Sequence, residues 1–440
     1  MLQVLSLFLS GNLASVMCRR GLTAGALAIV MLAAPVMTSA QVSRVGSTAF
    51  PKPPDGGTRR FSAVAYDGAN NAYLVAWGVI NLGLRFVSAG GVPLGEPAAL
   101  NTDGVARQAG AVRVACGAEI NACLVTWVEE LPTRVVGRLV RNSGGAVQFL
   151  TDRFPISQTG VPKHTESAPG VAYSSGSREF LVTWAEYSSP GGPDVKGQRV
   201  STAGVPIGDQ IPVGATGYWE GLPSATYNSA LDEFFVTYYF EPGQDAVGAT
   251  RVKAGTGAIV ANTTLYTGPF EKYPEVVYNS VENQYLAVSW SANWILHGQR
   301  VDGSGNAFGA VLPLATGGGD GIGVGYNPVS NSYLAVYLRP DSDEVWGAVI
   351  TSAGATVNQF QVTSSGTRLA TQPQVAGSKA APQWLVVGAE QFRRVMSQLV
   401  QNGGAASPPS PPPPAPGPAP VACSMTFSKA SESFGPNGGG

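Results

Sequence analysis

The strongest constraint on this chain is internal: one motif of about 50 residues recurs seven times along it. Each copy is anchored by a short run into Tyr, as in Ala65-Tyr66-Asp67, Ala172-Tyr173-Ser174, Thr226-Tyr227-Asn228, Val277-Tyr278-Asn279 and Gly325-Tyr326-Asn327. Seven residues beyond each Tyr stands a second aromatic (Tyr73, Phe180, Phe234, Tyr285, Tyr333), followed by a run such as Leu74-Val75-Ala76-Trp77. A Gly-Gln-Arg-Val-like segment and a Ser/Gly turn come next, clearest at Gly197-Gln198-Arg199-Val200 and Gly298-Gln299-Arg300-Val301 and looser at 248–252 and 347–350. Two degenerate copies fit the same frame: Val114-Ala115-Cys116 with Cys123-Leu124-Val125-Thr126-Trp127, and Val375-Ala376-Gly377 with Trp384-Leu385-Val386-Val387. The anchors therefore fall at 66, 116, 173, 227, 278, 326 and 377.

Each copy reads as four short strands: one into the anchor, the aromatic-aliphatic run, the Gly-Gln-Arg-Val segment, and one after the Ser/Gly turn such as Gln210-Ile211-Pro212-Val213. A single four-stranded sheet cannot bury both of its faces, so neighbouring copies must stack on it. Radial stacking gives an all-β, seven-bladed β-propeller of antiparallel blades. The seventh copy runs through its third strand (395–401) and then enters Gly-Gly and polyproline, without a fourth strand. The segment Ser47-Thr48-Ala49-Phe50-Pro51 resembles the fourth-strand segment Arg153-Phe154-Pro155-Ile156, so an N-terminal strand is expected to complete the last blade and leave no open edge. The competing arrangement, an open solenoid, needs capping units that the sequence does not offer.

Charged residues are only 12% of the 440, and Lys+Arg (27) balance Asp+Glu (28), so no basic field exists to hold a phosphate backbone and nucleic acid is not an expected partner. The 56 glycines and 33 prolines suit strands joined by tight turns. At the N-terminus, Arg19-Arg20, an apolar run over 21–36 and Met37-Thr38-Ser39-Ala40 read as a signal peptide over 1–40, cut after Ala40. Met17 offers a second start, and an uncleaved anchor is the competing reading of the same run. The expected location is therefore outside the cytoplasm, secreted or in the cell envelope, with no membrane contact after cleavage and a monomeric state. The propeller is assigned to 41–404 and a semi-rigid Pro-rich linker to 405–421.

The blade pattern Pro-x-Val-Ala-Tyr-Asn, Tyr-Leu-Val-x-Trp and Gly-Gln-Arg-Val resembles a recurrent repeat of bacterial secreted and cell-surface proteins; the likeness covers residues 47–402 and implies the propeller architecture without a ligand. Residues 422–440, with Cys423-Ser424-Met425-Thr426-Phe427 and Ser433-Phe434-Gly435-Pro436-Asn437-Gly438, resemble the opening of BACON-like β-sandwich modules. The resemblance implies that the module is cut short here and disordered as it stands, and Cys423 lacks the family's usual second Cys.

Cys116 and Cys123 occupy the anchor and second-aromatic positions of the second copy, which face each other on adjacent strands, so a disulfide is expected in an exported protein; two free buried thiols are the alternative. The two histidines, His164 and His297, stand in different copies without metal-ligand neighbours, and no metal site or cofactor is expected. Asp302-Gly303-Ser304-Gly305-Asn306 reads as a hairpin turn, not a calcium loop, for want of the later Glu. No catalytic residue is assigned, since nucleophile-elbow and phosphate-loop patterns are missing.

One acidic pattern stands out. Glu166, Glu220 and Glu271 each lie seven residues before an anchor Tyr, with Asp320 offset by one, and Tyr218, Trp219 and Tyr273 stand beside them. These loops gather at one mouth of the channel, where acids and aromatics are candidate ligand-binding groups for a glycan, a cation or a basic peptide. Three functions follow: an exported non-catalytic binding or scaffold protein for a carbohydrate or extracellular protein; a propeller-fold glycoside hydrolase or lyase using two mouth carboxylates; or a purely structural envelope component. Solvated loop acids with no role are the plain alternative at the mouth.

Overall fold

The computed structural model describes residues 42–403, apart from 50–60, 79–81, 101–111, 131–132, 159–167, 190–191, 269–271, 292, 318, 320, 340–341, 364–371 and 390–394. The expectations for the signal peptide, the linker and the C-terminal piece lie outside the described residues. Within them the protein is all-β, with seven antiparallel sheets in chain order. Blades 1 to 6 begin their innermost strands at Phe61, Arg113, Gly170, Glu220, Lys272 and Ile322, and blade 7 at Gln374.

Blade 4 shows how sequence becomes blade. Its strands are Glu220–Asn228, Glu233–Phe240, Ala246–Lys253 and Ile259–Thr267, paired in that order. Every residue of the second strand is buried, whereas the outermost is largely exposed. A strand covered on both faces by neighbouring blades has no solvent side, so it reads as an unbroken apolar run. The anchor and the second aromatic stand directly opposite in register: Tyr66 faces Tyr73, Tyr173 faces Phe180, Tyr227 faces Phe234, Tyr278 faces Tyr285 and Tyr326 faces Tyr333. Cys116 faces Cys123 in the same way, and the two form a disulfide.

The apolar core is divided among the blade junctions. One cluster joins blades 1 and 2 through Leu74, Leu84, Val125 and Trp127, and another joins blades 2 and 3 through Leu124, Val182 and Trp184. The ring closes where Tyr73, Val75 and Trp77 of blade 1 pack on Leu385, Val387 and Leu399 of blade 7.

The N-terminal strand Val42–Ala49 pairs antiparallel with Val395–Asn402 and supplies the outer strand of blade 7. It starts earlier than the 47–51 segment marked by sequence, and Phe50 and Pro51 lie outside the described residues. The reason is a bulge. In blades 3 and 5 the Gln of Gly-Gln-Arg-Val turns its amide onto a bulge in the outer strand: Gln198 Nε2 donates to the carbonyls of Ile207 (2.9 Å) and Gly208 (3.2 Å), and Gln299 Nε2 to that of Phe308 (2.9 Å). Gln398 does the same for Val45 and Gly46. Gly46, Gly208 and Gly309 all hold the left-handed conformation, with φ of 55°, 66° and 73°. The position of Gly46 thus sets the register of the closing strand. Blade 2 departs in another way, because two short strands, Ala146–Phe149 and Phe154–Pro155, share its outer position.

In blades 3 to 6 the residue after the anchor Tyr bolts the blade to the next. Asn228, Asn279 and Asn327 are fully buried. The Asn228 side-chain oxygen accepts from the amides of Ala230 (2.9 Å) and Leu231 (3.1 Å), while its Nδ2 donates to Tyr285 Oη of blade 5 at 2.7 Å. Asn279 donates likewise to Tyr333 Oη of blade 6 at 3.1 Å. Where the next blade carries Phe234 in place of a tyrosine, the residue is Ser174, whose hydroxyl donates to Asp232 at 2.7 Å. Buried amides this well satisfied rigidify a junction and specify its geometry.

Candidate functional site

The innermost strands all run the same way, so the channel has two unlike ends. At one end lie the turns joining first and second strands, and at the other lie the links between blades.

The turn end is a funnel of about 570 Å³ formed by blades 2 to 7. Four anchor tyrosines, Tyr173, Tyr227, Tyr278 and Tyr326, line it as an arc over four successive blades. Blades 2 and 7 contribute Cys116 and Gly377 at the equivalent positions, so that side is smaller and less aromatic. Each anchor ring packs on its cross-strand partner, for example Tyr278 on Tyr285 with centroids 5.3 Å apart. Phenol protons are committed outward to the turn: Tyr227 donates to Asp232 (2.8 Å), Tyr278 to Asn283 (2.9 Å) and Tyr326 to Asn331 (3.0 Å). Those acceptors hold the turn conformation itself, with φ of 51°, 49° and 43°, a region Asn and Asp tolerate better than other side chains. Burial raises the Tyr278 phenol above its ordinary value and pushes Tyr326 up to about 12, so both stay neutral in any physiological medium. Ser175, Ser229 and Ser280 stand exposed at the rim, two residues beyond the anchors of blades 3 to 5, with Glu119 and Lys379 as the charged lining residues.

The link end is narrow. Arg113 Nη2 of blade 2 meets Glu275 Oε1 of blade 5 at 2.9 Å, and Ser224 Oγ of blade 4 donates to the other carboxylate oxygen at 2.7 Å. Blades 2 and 5 are not neighbours, so this pair spans the channel. Leu222-Pro223 and Tyr273-Pro274 crowd the same end. Both first strands shift register there, and Leu222 and Tyr273 take φ of 54° and 56°. A bulky side chain in the left-handed region costs about 1–2 kcal/mol, so two equivalent bulges mark a constriction held by its surroundings.

Of the residues singled out by sequence, Glu166, Glu271 and Asp320 lie outside the described residues. Glu220 is wholly buried at the start of the first strand of blade 4. Thr216 donates to one of its oxygens through both its amide (3.0 Å) and its hydroxyl, while the other oxygen has no hydrogen-bond partner. Burial raises its pKa; the Thr216 bonds oppose this in part, and Asp194 adds to it. Trp219 is half-buried, edge-on to Tyr239 at 5.3 Å, and backed by Gly192, where a Cβ would come within 3.1 Å of the indole. Tyr218 is 47% exposed, and Tyr273 forms part of the constriction. The residues brought together around open space are instead the anchor tyrosines. Their recurrence was plain in the sequence, but nothing in it distinguished a lining role from a packing one. Among the described residues no group of three or more His, Cys, Asp or Glu is arranged to hold a metal. Asp302 accepts from the amides of Ser304 and Asn306, both at 2.9 Å, as a hairpin turn requires.

No protein-family model matches the sequence, and no curated protein matches it. Among solved structures, the lectin BP39L from Burkholderia pseudomallei aligns with a TM-score of 0.59 at 15% identity, covering 80% of this chain and 97% of the lectin. Raptor from Chaetomium thermophilum aligns with a TM-score of 0.51 at 11% identity over 84% of this chain, which spans only 29% of that protein's length. At these identities the likeness is one of fold: the chain is a seven-bladed β-propeller similar in architecture to both.

Proposed function

We propose that this chain is an exported, non-catalytic binding or scaffold protein that takes a carbohydrate or protein ligand in the tyrosine-lined funnel. The observation that carries the reading is the funnel itself, a concavity within the ~300–1,000 Å³ range of small-ligand sites, at 570 Å³, with aromatic walls and a hydroxyl rim. The Cys116–Cys123 disulfide supports an oxidising, extracytoplasmic setting. The lectin comparison supports the fold alone, because propellers host many unrelated ligands. The acids at the opposite mouth carry the alternative of a carbohydrate-active enzyme less well, since the described one, Glu220, is sealed from solvent.

The test is hydrogen exchange on the full chain, with and without extracellular polysaccharide and peptide mixtures, alongside an assay for released product. Protection confined to the turns over 228–232, 279–283 and 327–331, without product, is the expected outcome. Protection at the link end, or product release lost in Glu220→Gln, would replace this reading with the enzymatic one.

A further inference from the structure

Resting on the funnel as a ligand site, we infer that in the full chain it holds a segment of the chain itself, the proline run at 408–420. The point where the chain leaves the ring comes first. Gln401 stands opposite Gln383, and the Asn402 amide donates to the carbonyl of Pro382 at 2.9 Å. Asn402 Nδ2 reaches Ser332 Oγ of blade 6 at 3.3 Å. Both partners flank turns between first and second strands, so the chain leaves at the turn end, over the junction of blades 6 and 7, where the funnel opens. The wall is lowest there: a Cβ on Gly377 would collide with the Tyr326 carbonyl, so no side chain can stand at that anchor position. Four residues, 404–407, precede the first proline and span up to about 14 Å. The third strand of a blade lies only about 10 Å out from the innermost. From Pro408 onwards the run contains only Pro, Ser, Ala and Gly, a composition that favours the polyproline II helix. Its length in that form is about 40 Å, well beyond the breadth of a cavity of 570 Å³.

What the wall offers is ring faces. Tyr227 donates its proton to Asp232 and accepts from the Gly176 amide at 3.0 Å. Tyr278 donates to Asn283 and accepts from Ser229 and Ala230, while Tyr326 donates to Asn331 and accepts from the Val281 amide. The phenols are thus engaged on both sides by turns of the protein, and a ligand that depends on bonding to them is poorly served. The rings stay half-buried, set among Val277, Val324 and Val375. Proline suits such a wall: its ring packs on aromatic faces, it has no N–H to leave unpaired, and its conformation is largely fixed before binding. The carbonyls of the run can accept from the exposed hydroxyls of Ser175 and Ser280 or stay in water. Charge does not oppose the contact. Glu119 and Lys379 line the funnel, and Asp232 stands ionised behind Tyr227, where the effect of burial is outweighed by bonds from Ser177, Ser174 and Tyr227. The run itself carries no charge. A segment tethered this close meets its site at an effective concentration in the mM range, so a modest affinity is enough. An outside ligand then has to displace the run.

The experiment is hydrogen exchange on the full chain and on a full-length variant carrying Pro411→Ser, Pro412→Ser, Pro413→Ser and Pro414→Ser together. The turns over 279–283 and 327–331 are expected to exchange about tenfold faster in the variant, the ratio that an effective concentration of about 1 mM gives against a peptide Kd of about 0.1 mM. A synthetic peptide of residues 407–421, added at mM concentration, is expected to slow the variant's turns again, and the same peptide with the four serines is not. Equal exchange in the two chains, or a difference placed at the link end, would overturn the inference. So would a difference that vanishes on dilution, which would assign the run to the funnel of a second copy. The funnel reading is decided separately, on the variant alone. Polysaccharide or peptide mixtures that protect these turns there uphold it even if the run proves inert. No protection by any of them, with the run inert as well, would remove both.

Discussion

Arg113 and Glu275 meet across the propeller axis, Nη2 to Oε1 at 2.9 Å, from blades three places apart in the ring. Both side chains are mostly buried, at 17% and 16% exposure, and Ser224 supplies the second hydrogen bond to the carboxylate. No junction between adjacent blades requires this contact. Its effect is to tie three blades at the constriction, where two bulged strands already carry strain.

Removing one partner leaves the other partly buried and uncompensated, which costs more than the pair contributes net. Arg113→Met is therefore expected to lower unfolding stability by about 1–3 kcal/mol, and Arg113→Met with Glu275→Gln to recover part of that. Urea unfolding of the two singles and the double measures the coupling. A coupling near zero would mean that the two charges are independently solvated.

Glu220 makes the opposite kind of prediction. Its pKa is raised in the folded state by burial, so the folded protein holds a proton that the unfolded chain releases. Stability contributed by this group is then full below the ordinary glutamate pKa and declines as pH rises through that value towards the raised one. Glu220→Gln keeps an oxygen for Thr216 and cannot ionise. Its unfolding midpoint is expected to equal or exceed that of the parent at neutral pH and to vary less between pH 4 and pH 8. A variant less stable than the parent at pH 8 but equal to it at pH 4 would show that the ionised form is the favoured one.

The buried amide of Asn279 caps its own turn and donates to Tyr333 of the next blade. Asn279→Ala uncaps two amides of an exposed turn and takes from the buried Tyr333 phenol the donor that reaches it across the junction. The expected loss is about 1–3 kcal/mol, mostly from the one buried hydrogen bond removed at the junction. Asn279→Asp keeps the turn and loses the inter-blade donor, so it should fall between parent and Ala. Equal losses in the two variants would assign the whole effect to the turn and none to the junction.

Much of this architecture can be read from residue order. A buried second strand such as Glu233–Phe240 writes itself as a run of apolar residues, and the repeated Tyr with a partner seven positions on marks a hairpin whose register the structure reproduces. The paired cysteines were legible for the same reason, since they replace an opposed aromatic pair. The closing strand was legible as a role through 47–49, whereas its earlier half from Val42 lies beyond the bulge at Gly46, and the glycine that recurs at this bulge in other blades went unused as a marker. The Asn after the anchor was visible as a repeat, yet its bond reaches a tyrosine more than 50 positions away. The site was least legible. Loop acids look solvated in a sequence, and only packing reveals that Glu220 is sealed inside and that Arg113 lies opposite Glu275.

Reducing the Cys116–Cys123 bridge removes a constraint on a short hairpin loop of the unfolded chain. Loop-closure entropy for so small a ring is about 2.5 kcal/mol, and Cys116→Ala with Cys123→Ala is expected to lose about that much or less. The variant's unfolding midpoint should be indifferent to reductant, whereas the parent's should fall when reductant is added. A parent that ignores reductant at full unfolding would indicate that the thiols are not joined in solution.

Val42–Ala49 covers the outer edge of Val395–Asn402, and Val42 packs against the cluster between blades 6 and 7. Its removal leaves the three inner strands of blade 7 paired but exposes a row of unpaired backbone groups, with the amide of Gln398 deprived of the bulge carbonyls it serves. An unprotected edge pairs with whatever strand it meets. Deleting residues 42–49 is expected to yield a protein that retains its β-sheet circular dichroism yet self-associates, seen as dimers and larger species by light scattering. A synthetic peptide of residues 42–49 should restore the monomer, and the same peptide with Gly46→Val should do so poorly, because a branched residue resists the left-handed conformation that the bulge demands. If the truncated chain stays monomeric, the edge is not the closing element; if it unfolds outright, the strand contributes to the core as well as to closure.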